Sequence, residues 1–294
     1  MKSRHRRFSF TRLAALTGNT FTGLVRLKVF YFLLLFALLL IGSSLFMAQL
    51  TFQQEFKVLK DVSLGAMSIF TSLLAIVATA QLIPRDIEDR TIYTILAKPV
   101  PRYEYLLGRL TGVLLLLALS LLAMSALFLA LIFVRHEMLA REVLRQSAVL
   151  PSAQIQQSLA YLQASAFNAN LLPGIVIIFL KASLLASLTL FISTFATSNL
   201  FTIMVMVFIY FIGHLQSTAR AYWLQIHGGG WLAQTFLGLV ALAFPDLQLF
   251  NLIDDIVAGT AIPLVLFGKT ALLGCVYTSV YLFFAWITFH GKEL

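Results

Sequence analysis

From residue 171 to residue 214 the chain runs for 44 residues with a single formal charge, Lys181. About twenty apolar residues in helical form cross the roughly 30 Å hydrocarbon layer of a bilayer, so this run is long enough for two passes. The polar cluster Thr197, Ser198 and Asn199 supplies the turn between them. Lipid offers no water to an unpaired backbone amide, which leaves helices or a closed barrel as the only spanning structures, and runs of this length belong to helices. Across all 294 residues, 60% are hydrophobic and 11% charged, more apolar side chain than one water-soluble domain can bury. The fold class expected is an all-α membrane protein.

The same length criterion marks six transmembrane helices, at 29–50, 62–83, 111–134, 171–194, 199–214 and 268–289. The first is too long for a signal-peptide core, so Arg6 and Arg7 read as part of a retained basic tail rather than a twin-arginine leader. Between that tail and the first span, Phe10, Leu13, Ala14, Thr17, Phe21, Leu24 and Val25 recur at steps of three and four, the pattern of an interfacial helix within residues 1–28.

The net charge is +9, and seven positive residues (Lys2, Arg4, Arg6, Arg7, Arg12, Arg26 and Lys28) precede the first acidic one, Glu55. A nucleic-acid binder spreads its basic residues over a folded face. Here they stand just before an apolar run, as the positive-inside rule requires of a cytoplasmic terminus, so the lipid bilayer is the expected partner and nucleic acid is not. Arg85, Arg90, Lys98, Arg102 and Arg109 crowd the loop after the second span, which puts both termini in the cytoplasm and Gln157 outside.

Two stretches depart from simple hairpins. The extracytoplasmic loop 135–170 has two amphipathic stretches (Leu139, Val143, Leu144, then Ile155, Leu159, Leu162) separated by Pro151, expected to form a small helical cap. Within 215–267, residues 232–244 are apolar but too short to span before Pro245, and read as a re-entrant or interfacial segment; a full seventh span is the rival. The whole chain, 1–294, is then a single transmembrane domain.

Soluble chemistry finds little support. Gly268, Lys269 and Thr270 resemble the end of a phosphate-binding loop, but Pro263 stands where its first glycine is needed. The five histidines are scattered, no serine sits in a nucleophile elbow, and the one cysteine, Cys275, lies in an apolar run. No catalytic residue, bound metal or cofactor is expected. Two places hold charge where it is costly: Lys181, about ten residues into the fourth span, and the pair Asp254 and Asp255. They are the candidates for lining a pathway. Gly108 and Gly112 form a GxxxG whose ordinary role is helix packing.

The most informative segment is the cytoplasmic loop 84–102 and its continuation, IPRDIEDRTIYTILAKPVPRYEYLLGRLTG. Pro84 is expected to stop the second span, with Asp86, Glu88 and Asp89 in the first turn of a short helix whose apolar stripe is Ile92, Ile95 and Leu96. Pro99 and Pro101 end it. Such a helix suits docking into a groove on a soluble partner, and equally suits lying on lipid; amphipathicity alone does not choose.

This loop resembles that of ABC type-2 transporter permeases, in which an acidic residue and a Thr- and Leu-containing turn precede a Pro-Val-x-Arg-x-Glu run and a Leu-Gly-Lys-like ending. The matching residues are Glu88, Thr91, Leu96, Pro99, Val100, Arg102, Glu104, Leu107, Gly108 and Arg109, the last replacing the usual Lys. The N-terminal stretch from Leu13 is similar to that family's first helix. FPDLQLFNLIDDIVAG, residues 244–259, is similar to a segment before the last span in the branch with copper-processing permeases of nitrous-oxide respiration and gliding-motility permeases.

The resemblance implies a six-span subunit in the bacterial inner membrane that meets a second permease subunit, identical or paralogous, around an export pathway. Separate ABC ATPase subunits, which hold ATP and Mg, would dock on the coupling helix through Glu88, Thr91, Ile92, Ile95, Leu96, Pro99, Arg102 and Glu104. The chain itself would be no enzyme. A rival from another class is an ATPase-driven anchor or mechanotransmission subunit that moves no cargo, with the outer cap acting on an external partner. A third reading, a lipid-modifying enzyme, has only Asp254 and Asp255 to work with.

Overall fold

The computed structural model describes residues 9–51, 54–88, 101–145, 152–167, 170–227, 235, 244–259 and 263–291. The protein is an all-α membrane protein: among the described residues there is no strand, and six helices are long and apolar enough to cross a bilayer. In chain order the helices are α1 (Phe10–Val25), α2 (Lys28–Gln49), α3 (Glu55–Ala80), α4 (Leu82–Glu88), α5 (Arg102–Arg145), α6 (Ser152–Ala166), α7 (Leu171–Ser193), α8 (Asn199–His227), α9 (Ile253–Ala258) and α10 (Leu264–His290). A short 3-10 turn, Leu247–Phe250, precedes α9.

Helices α3 and α7 form the centre, packed on each other and flanked by α5, and both are buried along most of their length. Both bury small and hydroxyl residues, among them Ser68, Ser72, Ser187 and Ser193, which let helix backbones approach where no hydrophobic effect drives them together. These hydroxyls bond back into their own helices: Ser72 donates to Ser68 O at 2.7 Å, Ser187 to Leu184 O at 2.8 Å and Thr189 to Leu185 O at 2.6 Å. Helices α2, α8 and α10 lie at the periphery and turn Phe32, Leu35, Met204, Phe208, Leu272 and Phe283 outward, the apolar faces that lipid covers.

Several boundaries differ from expectation. The third span does not stop near residue 134; α5 continues for 44 residues to Arg145 because nothing beyond Gly112 breaks it, so Leu139, Val143 and Leu144 extend that helix instead of starting a cap. Only the second amphipathic stretch is a separate helix, α6, with Ile155, Leu159 and Leu162 half-buried on one side. The break after α3 falls at Gln81, and Pro84 sits in the first turn of α4, where its missing N–H would have no helical partner anyway. Asp86 and Glu88 therefore fall in the second turn of α4, past the helix start expected for them. Helix α8 runs on to His227, well into the region assigned to a loop from 215, and α10 starts four residues early at Leu264. Of the segment 232–244, all but Thr235 and Phe244 lies outside the described residues, as do Lys2, Arg7, Pro151 and Lys292.

Helix α1 packs along the start of α5. Its inner stripe is Leu13, Leu16, Thr17, Thr20, Phe21 and Leu24, while Phe10 and Ala14 face outward, a rotation from the expected apolar face. The reason is the pair of glycines opposite: a Cβ at Gly108 would stand 2.6 Å from Leu16 Cβ, and one at Gly112 2.6 Å from Thr20 Cβ. The GxxxG is thus a groove for α1, with Thr17 and Thr111 hydroxyls 2.6 Å apart across it.

The segment 244–258 is received by three notches cut by glycine. A Cβ at Gly213 would meet Leu247 and Pro245 O, one at Gly174 would meet Ile256, and one at Gly274 would meet Phe250. Leu247, Phe250 and Ile256 are buried as a result.

Candidate functional site

The scarce charges of the chain converge where α4 and α1 meet the first turns of α5. Asp86, in α4, accepts from both the Arg109 guanidinium and the Tyr105 hydroxyl of α5. Tyr105 and Arg109 are four residues apart on one helix, hence one above the other, and the guanidinium lies 5.3 Å from the Tyr105 ring centroid. Arg109 also donates to Thr20 of α1 at 3.2 Å, so one planar fork ties three helices, which a lysine's point charge would do less well.

A second pair lies one turn away. Glu104 is wholly buried and accepts from Arg12 Nε at 2.8 Å and Nη2 at 3.0 Å, a bidentate arrangement, and from the backbone N–H of Ser9 at 3.1 Å. A carboxylate at the start of α1 suits the helix dipole, and its hydrogen bonds hold the Arg12 guanidinium above its usual pKa. Arg102 caps the far end of the chain, donating to Phe289 O at 3.0 Å and to His290 O, the last carbonyls of α10. The Tyr105 and Phe289 rings stack at 5.6 Å beneath it. Four helices, α1, α4, α5 and α10, are knitted together around the first turns of α5.

These positions revise part of the expected docking surface. Glu104 is sealed inside the protein by Arg12, because a carboxylate in an apolar bundle must be paired, and it ties α5 to α1 instead of facing outward. Arg102 likewise turns toward α10. Glu88 is exposed at the end of α4, at the edge of the loop. Thr91, Ile92, Ile95, Leu96 and Pro99 lie outside the described residues. The roles of Asp86 and Arg109 as a buried pair escaped sequence reading. The available signal was a Tyr-x-x-x-Arg spacing opposite an acid in a chain with few charges.

The pathway candidates separate. Lys181 is 2% exposed in α7 and donates to the Ser68 hydroxyl of α3; among the described residues no carboxylate pairs with it. One turn along α3, the Thr71 hydroxyl is buried without a partner, and on α8 the Tyr210 ring lies 4.3 Å from that of His214. This is a polar interior spread over three spans. Asp254 and Asp255 do not join it: they are exposed in the first turn of α9, where the helix dipole favours acids.

Removing the Lys181 charge has a definite expected sign. A lone buried ammonium costs several kcal/mol to desolvate, and one neutral hydroxyl repays only part of that. Lys181→Met is expected to raise the midpoint of thermal unfolding in detergent by several degrees, equivalent to about 1 kcal/mol or more. An unchanged or lowered midpoint means that the ammonium is better solvated in the protein than this contact supplies.

No protein-family model matches the chain, and no curated protein matches it.

Proposed function

We propose that this chain is the membrane-spanning permease subunit of an ATP-driven exporter of the ABC type-2 kind, in the bacterial inner membrane with both termini cytoplasmic. In this reading it pairs with a second permease subunit. Separate ATPase chains bind ATP and Mg and press on its loop 84–102, with Glu88, Thr91, Ile92, Ile95, Leu96 and Pro99 forming the contact.

The observation that carries the reading is the brace that joins α4 and α5, the helices on either side of residues 89–100 in the sequence. A push on a loop held by one frayed helix end would dissipate in local motion. Here Asp86 with Arg109, Glu104 with Arg12, and Arg102 with the α10 carboxyl end make four helices one lever, which suits a rigid-body switch between two packings. The buried polar interior around Lys181 is the proposed pathway wall, and its charge favours anionic cargo groups. Lys181→Met is accordingly expected to lower ATP-driven flux while stabilising the fold.

The length of α5 favours a second reading. At 1.5 Å per residue its 44 residues extend about 66 Å, more than twice the hydrocarbon thickness, and α6 packs beside its far part. Such an extension could carry motion to an external partner with nothing crossing the membrane. Flux in vesicles containing the full complex separates the two.

The direct test replaces Ile92 and Leu96 by serine. At about 25 cal/mol per Å², the lost apolar burial is of order a few kcal/mol, enough to weaken a small docking contact severely. Both positions lie outside the expected spans, so insertion and expression should be normal while ATPase co-purification and ATP-dependent activity are lost. A double variant that retains its ATPase at wild-type affinity makes the loop an interfacial helix and removes the proposal.

A further inference from the structure

At the end of the bundle opposite the brace lies an open groove of about 930 Å³, bounded by the start of α3, the far part of α5, α6 and the end of α9. Its size is in the range of small-molecule sites, roughly 300–1,000 Å³. Its most unusual lining group is Lys60, only 3% exposed, whose Nζ donates to Ser165 O at 2.6 Å. That carbonyl belongs to the last turn of α6, so Lys60 serves as a helix C-cap, and the partial negative charge of the helix end offsets about half of the ammonium.

The cap leaves much unused. An ammonium has three N–H donors, and Ser165 O takes one. The acidic side chain that lines the groove, Glu55, is already committed to Arg135, which donates to it at 2.7 Å. Lys57 adds a second, exposed positive charge at the rim. Other elements add apolar lining: Leu139 of α5, Leu162 of α6 and Val257 of α9. The groove thus presents a sequestered cation with spare donors together with hydrocarbon surface.

We propose that this groove binds an amphiphile with an anionic headgroup, the phosphate or carboxylate taken by Lys60 and the apolar body lying against Leu139 and Leu162. The site does not depend on ATPase coupling, and its test contains no ATPase, so its failure would leave the transport reading standing.

The experiment measures binding to the full chain in detergent by native mass spectrometry, with dioleoyl phosphatidylglycerol, dioleoyl phosphatidylcholine and laurate as probes. Wild type is expected to hold its first phosphatidylglycerol, or laurate, at least tenfold more tightly than phosphatidylcholine. Lys60→Met should abolish that preference and Lys60→Arg should keep it. Ala164→Trp fills the groove while leaving the Lys60 cap in place, and should weaken the anionic probes at least tenfold even if Lys60→Met does not fold. Tighter binding of phosphatidylglycerol than of laurate identifies membrane lipid as the source; the reverse identifies a free amphiphile. Equal binding of all three probes, retained preference in Lys60→Met, or wild-type binding in Ala164→Trp overturns the proposal.

Discussion

Arg109→Met is expected to be among the most destabilising single substitutions in this protein, lowering stability by about 3–5 kcal/mol. The guanidinium and Asp86 are both largely shielded, with side-chain exposures of 8% and 12%, so the change takes from a carboxylate in the bundle the cation that pairs with it. It also releases Thr20 of α1. Asp86→Leu alone should cost a similar amount by stranding the guanidinium, whose Nε is already buried without a partner. The double variant Asp86→Leu/Arg109→Met strands neither charge. It should recover most of the loss, because replacing a whole buried pair by apolar groups is close to neutral. Thermal unfolding of the four proteins in one detergent gives the coupling directly. Strict additivity of the two single losses would mean that the pair contributes nothing to the brace. A recovered fold with lost ATP-dependent activity would separate the lever from stability.

The second large effect is expected at Gly112. Leucine there drives a side chain into Thr20 Cβ and Cγ2 and into the Thr17 carbonyl, 3.0 Å from the new Cβ. These are a Cβ, a methyl bonded directly to it and a backbone carbonyl, not the ends of flexible side chains, so α1 must move away as a body. Overpacking of this kind costs about 1–3 kcal/mol, and the separation also breaks the Thr17 to Thr111 contact. The readout is the thiol-labelling rate of Leu16→Cys on a Cys275→Ser background, expected to rise at least tenfold with Gly112→Leu. Gly18→Ala and Gly23→Ala, on the open face of the same α1 helix, should leave the rate unchanged and favour the helix slightly. An unaltered labelling rate with leucine at 112 would show that α1 is not held in the glycine groove.

What the sequence by itself determined is the architecture at the scale of the bilayer. Six apolar runs long enough to cross, nearly free of charge, leave a helical bundle as the solution because lipid satisfies no backbone hydrogen bond. The turn between α7 and α8 was legible for the same reason, since Thr197, Ser198 and Asn199 interrupt an otherwise continuous apolar run. Helix ends were less legible. Hydropathy marks where a chain stops being apolar, whereas a helix stops only where its backbone does, so α5 and α8 run past their apolar stretches. The tertiary structure alone decided which charges meet. Asp86 and Arg109 are separated by 23 residues, Arg12 and Glu104 by 92, and Lys60 and Ser165 by 105. Nothing in local periodicity relates residues that far apart. In a bundle that must pair or cap every buried charge, the partner is whichever group the packing of glycine notches and helix ends brings within reach.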